Sequence, residues 1–300
     1  MRTAHINVLK QNKNTKATHI PRMSKPLKRM LFGNEHAHFR VLICLHWSLC
    51  DMPGHHISMN RGEAMHAGPL GSMPDAAATA LIELCEEGDF GFLEVTPWRD
   101  RLTSQLIVAW HEFSTWCSEN SQQHTLRRFT CARFSMNTLR SWPMFKGKAS
   151  NCLILTRWLE SRCFAKKNDS EWARLRWLVI WAWTDWFDIC LEADPDFLEP
   201  EELLRLDRAT RILLTCSKTL ASRSCALGQS RWKIRAKLHV MFHLNLDAQA
   251  NRRNPRSWWS FKEEETMGKL SRIAAATHAV TLATRTLERW CVQFFGYLES

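Results

Sequence analysis

The stretch Glu199-Pro-Glu-Glu-Leu-Leu-Arg-Leu-Asp-Arg-Ala-Thr-Arg-Ile-Leu-Leu-Thr-Cys-Ser-Lys-Thr-Leu-Ala221 decides the fold class. Leu206, Ala209, Leu213, Cys216 and Leu220 recur every three or four residues, the period of a helix with one buried face. Working upstream, Asp169 is placed to cap a helix bearing Trp172, Leu175, Val179, Ala182, Trp186 and Ile189 on one side, closed by Asp194-Pro195. Helical pattern also resumes at Ser150. Thr96-Pro97-Trp98 reads as a further helix start, Thr96 as N-cap and Pro97 in the first helical position, with Leu102, Leu106, Trp110 and Phe113 on one face. Pro74-Asp75 opens another, through about Glu87. Downstream, helices are expected at about 231–250, 262–277 and 284–298, after a break at 222–230. Residues 51–75, rich in Gly, Pro, His and Met, and residues 120–148, polar and then basic, read as loops. Val41 to Leu45 is a short apolar run suited to a strand. The expected fold is mainly α: a helical bundle with one or two short strands near the N-terminal end.

Composition agrees with a packed chain. The 300 residues (35.0 kDa) are 45% hydrophobic and 24% charged, which excludes a wholly disordered, collagen-like or coiled-coil protein. No apolar run approaches the ~20 residues of a membrane span; the best candidate, Trp177 to Trp183, is followed by Thr184 and Asp185. The first residues lack the apolar stretch of a secretion signal. The eleven cysteines are therefore expected as reduced thiols in an intracellular protein.

Charge is uneven. Lys and Arg number 41 against 30 Asp and Glu, a net +11 that favours a polyanionic partner. Residues 1–40 hold nine of those cations and one acid, Glu35, without core-forming periodicity, and read as a basic, poorly ordered arm. Residues 41–300 then form the helical domain, with a sub-boundary available in 120–148. A second basic set comprises Arg231, Lys233, Arg235, Lys237, Arg252, Arg253, Arg256, Lys262, Lys269 and Arg272, interleaved with Trp232, Trp258 and Trp259. Phosphate contacts with aromatic stacking would suit DNA or RNA; a solvated helix face over a Trp-containing core is the plainer alternative.

Three further features bear on chemistry. His239 and His243 lie four apart on a helix, the spacing of two Zn²⁺ ligands, with Cys44, His46 or Cys50 available to complete a site. Glu263-Glu264-Glu265 follow Ser260, where acids complement a helix dipole or could hold a divalent ion. No Gly-rich phosphate loop, GxSxG or HExxH signature occurs.

The C-terminal block runs Lys-Leu-His239-(x3)-His243, Asn254-Pro255, then Trp259-Ser-Phe-Lys-Glu-Glu264-Glu-Thr-Met-Gly268-Lys-Leu270 and a last amphipathic helix. It resembles the end of the catalytic domain of CACTA-type DDE transposases and the related large subunit of the antigen-receptor recombinase. Ile43-Cys44-Leu45-His46 with Gly54-His55-His56 resembles the family's Asp-x-x-His element. Arg128-Phe129 through Pro143-Met-Phe-Lys146-Gly-Lys148-Ala149 resembles transposon-related proteins of dinoflagellates. The resemblance implies a remnant of an RNase-H-like domain with its helical insertion, Glu264 (or Glu265) at the catalytic Glu position and His239 and His243 as the structural His pair. Ile43 stands where the family has Asp, so the resemblance points to a truncated or degenerate relative that binds nucleic acid, in the nucleus or elsewhere in the cell, without strand transfer. The alternatives are an active Mg²⁺-dependent transposase or nuclease using acids such as Asp51, Asp100 or Asp185, and a helical interaction protein or transposon remnant with no specific ligand.

Overall fold

In the computed structural model, which describes residues 62–91, 97–277 and 285–292, Leu206, Ala209, Leu213, Cys216 and Leu220 are all buried. The described α-helices are α1 (Ala64–Ala67), α2 (Met73–Glu87), α3 (Trp98–Glu119), α4 (Ala149–Lys166), α5 (Glu171–Glu192), α6 (Pro200–Ala226), α7 (Ala236–Asn251) and α8 (Phe261–Ala275). Residues 285–292 are also helical. No strand occurs among the described residues; Phe197 and Arg253 form an isolated antiparallel bridge. The fold is thus mainly α, and the arm and the Val41–Leu45 run lie outside the described residues. The described residues all belong to one contact unit, residues 61–300.

The tryptophan-rich α5 lies against both α4 and α6. Val179, Ile180, Ala182, Trp183, Trp186, Phe187 and Ile189 are buried around much of its circumference, which explains its apolar run without a membrane. Among the described residues no helix is long and apolar enough to cross a bilayer. On α3, Leu102, Leu106 and Phe113 are buried, and half-buried Trp110 meets Phe129 edge-on at 5.2 Å.

Several boundaries differ from expectation. Residues 64–75, within the expected loop, are helical: a π-helical turn, Gly68–Ser72, joins α1 to α2. Pro69 sits in its first turn, and a Cβ on Gly71 would lie 2.5 Å from the His66 carbonyl oxygen. Glycine here permits close backbone approach rather than a bend. Ser170, not Asp169, caps α5, its hydroxyl accepting from the Ala173 N–H at 3.0 Å. Pro97 is itself the N-cap of α3, so that helix starts one residue late, at Trp98. The α6 helix continues to Ala226, part-way into the expected break at 222–230, and there Arg223 makes two hydrogen bonds (2.9 and 3.0 Å) to Glu171 at the start of α5.

Candidate nucleic-acid interface

The run Arg231-Trp-Lys-Ile-Arg235, expected to start a helix, precedes α7 and lies against α2 instead. Its side chains reach the acids of α2 in reverse order. Arg231 pairs with Glu86 at 2.7 Å, Trp232 donates its indole N–H to Glu83 at 2.7 Å, and Arg235 pairs with Asp75. Lys237 donates to the Leu70 carbonyl at 3.3 Å. Arg231, Arg235 and Lys237 therefore serve to bind this strap to α1–α2; Lys233 is exposed.

Beneath the strap is a buried polar cluster. The Glu83 carboxylate accepts from Trp232, from Trp172 at 3.0 Å and from Arg176 at 3.4 Å, while Arg176 also forks onto Glu87 with two bonds of 2.7 Å. Burial pushes the Glu83 carboxyl up to about 7, against the lowering effect of Arg176 and the two indoles. Between about pH 4.5 and 7 the folded chain thus holds a proton that the unfolded chain has released. Glu83 favours folding fully below that window, and the contribution is lost as pH rises through it. Burial raises Glu63 as well, but N–H donors from Ser260, His66 and Met65 bring it below its ordinary value; Asp207 is lowered by Arg211. Those two lose stabilisation only as pH falls below the carboxylate range. The expected result is a urea midpoint that declines from about pH 5 to about pH 8, and a Glu83→Gln variant that lacks this part of the decline.

The rest of the basic set lies at the other end of α7. Sixteen residues of helix place it roughly 24 Å from the strap. Arg252 pairs with Glu199 at 3.1 Å, Arg253 is exposed, and Arg256 donates to the Leu191 carbonyl at 2.9 Å with its guanidinium 6.0 Å from the Trp259 ring. Glu264, Glu265 and Lys262 occupy the first turns of α8, after its N-cap Ser260; their side chains, like that of Trp258, lie outside what is described. Lys269, Arg272 and Arg289 line one surface recess with Ile273 and Ala276.

His239 and His243 share one exposed face of α7, their Nε2 atoms 2.9 Å apart and their rings edge to face. Cys44, His46 and Cys50 lie outside the described residues, as does Asp51. Among the described residues no three His, Cys, Asp or Glu side chains gather as metal ligands. Asp100 is exposed in the first turn of α3, and Asp185 is held by Arg205 at 2.9 Å. The described cysteines are free, and burial raises the thiols of Cys85, Cys152 and Cys190, with Cys163 pushed up to about 12, so none of these is a ready thiolate.

Comparison with protein-family models, curated proteins and solved structures gives no match. The site therefore rests on this chain's own geometry.

That geometry singles out a segment whose local pattern is only that of a basic loop. Residues 120–159 contain seven Lys or Arg and no Asp or Glu. Added to the arm's excess, they exceed the net charge of the whole chain, so the remainder is net acidic. Residues 208–246 are acid-free too, with eight Lys or Arg, but Arg211, Arg223, Arg231 and Arg235 among them pair with Asp207, Glu171, Glu86 and Asp75. What sets 120–159 apart is how few of its cations are paired. Among the described residues, the ion pairs reach this segment only at Arg157, which meets Asp188. Arg127, Arg128, Arg140, Lys146 and Lys148 are exposed.

The stretch 120–148, ahead of α4, has a defined conformation despite its lack of helix. Asn151 clamps its start, accepting from the Thr125 N–H at 3.1 Å and donating to the Thr125 hydroxyl at 2.9 Å. The Lys146 N–H donates to the Arg133 carbonyl at 2.8 Å, and the Arg133 guanidinium returns a bond to the Lys146 carbonyl at 3.0 Å. The Phe145 N–H reaches the Pro74 carbonyl at 3.1 Å, tying the segment to α2. Gly147 allows the chain to leave this contact: a Cβ there would lie 2.4 Å from the Phe145 ring. Underneath, Leu126, Phe129, Phe134, Met136 and Phe145 are buried.

Proposed function

We propose that this chain is a transposase-derived, nucleic-acid-binding helical protein that does not carry out strand transfer. The observation that carries the binding reading is the acid-free segment 120–159, with its exposed cations on a fixed backbone. Like charges held close together repel, and a polyanion both relieves that repulsion and releases its own counterions. Five of the seven cations are arginines, whose planar fork suits phosphate better than an ammonium does. Lys233, Arg252, Arg253, Lys269 and Arg272, all exposed, extend the basic surface beyond this segment. The transposase-derived origin rests on the C-terminal resemblance around His239, His243 and Glu264. The absence of strand transfer rests on Ile43, an aliphatic side chain where the family places a metal-binding Asp; a two-ion mechanism needs several converging carboxylates.

The test is the affinity of the full chain for a labelled oligonucleotide against salt. Five phosphate contacts imply a log–log slope of about −4, or on the order of a hundredfold loss between about 50 and 200 mM salt. The triple variant Arg127→Glu, Arg128→Glu, Arg140→Glu should bind more weakly and with a flatter slope. Removing residues 1–40 should flatten the slope separately. With Mg²⁺ or Mn²⁺ present, supercoiled plasmid should remain uncut. Affinity indifferent to salt, or to the triple variant, would remove the support for this reading; metal-dependent nicking would replace it with the active-enzyme one.

A further inference from the structure

The tip of the acid-free segment combines charge with exposed apolar surface. Leu139 is 56% exposed and Trp142 46% exposed, with Arg140 between them. An isolated surface leucine needs no explanation, but a tryptophan left nearly half open costs the fold much of the burial its ring could supply. Nor is this a floppy end. The Thr138 N–H donates to the Ser141 hydroxyl at 3.0 Å, and the Ser141 N–H to the Thr138 carbonyl at 3.0 Å, closing a turn around Leu139 and Arg140. Immediately after Trp142, Pro143 is buried and fixes its own φ, and Met144 donates its N–H to the Phe134 carbonyl at 3.1 Å. The Ser135 hydroxyl donates to the Met144 carbonyl at 3.1 Å, closing the other side. Trp142 is therefore presented from a backbone pinned on both flanks, which reduces the ordering cost of using it in recognition.

We infer that this tip is a binding surface for single-stranded nucleic acid, with Trp142 stacking on an unpaired base while Arg140, Lys146 and Lys148 follow the phosphates. The inference rests on the nucleic-acid reading above and narrows it. Duplex DNA hides the faces of its bases, so an exposed indole gains nothing from it beyond edge contacts; a single strand offers every base face for stacking. Arg140 also brings a guanidinium plane that stacks on bases or bonds phosphate. An anionic membrane is the other surface that attracts a basic apolar tip. The structure favours nucleic acid because only two large apolar side chains stand at the tip, while the cations extend back to Arg127 and Arg128 along a segment without acids.

The experiment compares the full chain and its Trp142→Ala and Trp142→Phe variants on three labelled probes: a single-stranded deoxythymidine oligomer, a duplex of equal length and a single-stranded RNA. Anionic phosphatidylserine vesicles provide a fourth arm. Expected are tighter binding to the single strands than to the duplex, a loss of about 5- to 100-fold on single strands for Trp142→Ala, little change on the duplex, and recovery with Trp142→Phe. Trp142 is nearly half exposed and its backbone is held by other residues, so Trp142→Phe should unfold at nearly the same urea concentration as the parent and Trp142→Ala somewhat below it, both being fully folded where binding is read. Equal affinity for single strand and duplex, with Trp142→Ala neutral, overturns the inference; steep salt dependence in the same data would leave the broader nucleic-acid reading standing. Absence of binding to every oligonucleotide at low salt overturns both. Vesicle binding that depends on Trp142, with oligonucleotide binding that does not, assigns the tip to a membrane and also overturns the inference.

Discussion

Replacing Arg176 with alanine is expected to destabilise the protein by about 3–5 kcal/mol, the cost of breaking a buried ion pair by removing one partner. The Arg176 side chain is fully buried on α5 and is the cation shared by Glu83 and Glu87 of α2. Without it, Glu83 keeps two indole donors but loses the charge that opposes its desolvation. Its carboxyl should then protonate at still higher pH, so the loss should be larger at about pH 8 than at about pH 5. Urea unfolding followed by tryptophan fluorescence measures both. The double variant Arg176→Met, Glu83→Gln should recover a substantial part of the loss, because the neutral pair no longer needs a counter-charge. A loss below about 1 kcal/mol, or no recovery in the double variant, would mean that the cluster is not coupled in this way.

The same cluster shows where sequence reading succeeds and where it stops. Helix periodicity depends on local spacing, so the stripe from Leu206 to Leu220 and the α5 face from Val179 to Ile189 are legible in the order of the residues alone. Helix ends are less so, since they turn on tertiary contacts. The last turn of α6 lies where Arg223 meets Glu171 of α5, and the close approach at Gly71 makes an apparent breaker part of a helix. The basic run from Arg231 to Lys237 illustrates the harder problem. Its charges look like a surface for an external polyanion, yet the acids that Arg231 and Arg235 pair with sit about 145 and 160 residues earlier, on α2. No local pattern reports a partner at that distance. The reverse holds for residues 120–159, whose local pattern is no more basic than that run but whose cations, Arg157 apart, meet no acid among the described ion pairs. The His pair is legible as a shared face because i and i+4 alone dictate it.

Trp158→Ala is the second substitution expected to have a large effect, again about 3–5 kcal/mol, because it empties a fully buried indole site from a packed core. Trp158 lies on α4 and is 1% exposed. Its ring centroid is 5.5 Å from Phe113 of α3, 6.0 Å from Phe129 of the acid-free segment and 6.0 Å from Phe90, just after α2. One side chain thus joins two helices to a stretch that has no helical ladder of its own. Phe129 in turn meets Phe134 edge-on at 5.2 Å, and Phe134 meets Phe145 at 5.6 Å, so the aromatic chain leads from Trp158 to the residues beneath Arg133 and Lys146. The consequence should not be confined to global stability. Local opening draws on the contacts a segment makes, and this one, with no helical ladder over 120–148, combines a few hydrogen bonds with the aromatic packing beneath it. Limited proteolysis of Trp158→Ala, under conditions where the variant remains folded, should therefore cut first at exposed basic positions such as Arg127, Arg128 or Arg140. Trp158→Phe should lose less stability and keep the segment protected, since a smaller ring still spans part of the gap. Cleavage that begins instead within α5 or α6, with residues 125–148 intact, would show that the segment is held by its hydrogen bonds to Asn151 and Pro74 rather than by the aromatic chain. If the segment is the nucleic-acid surface, the alanine variant should also bind oligonucleotides more weakly at temperatures where its helices remain intact, because cations on a loosened backbone must be ordered again at each encounter.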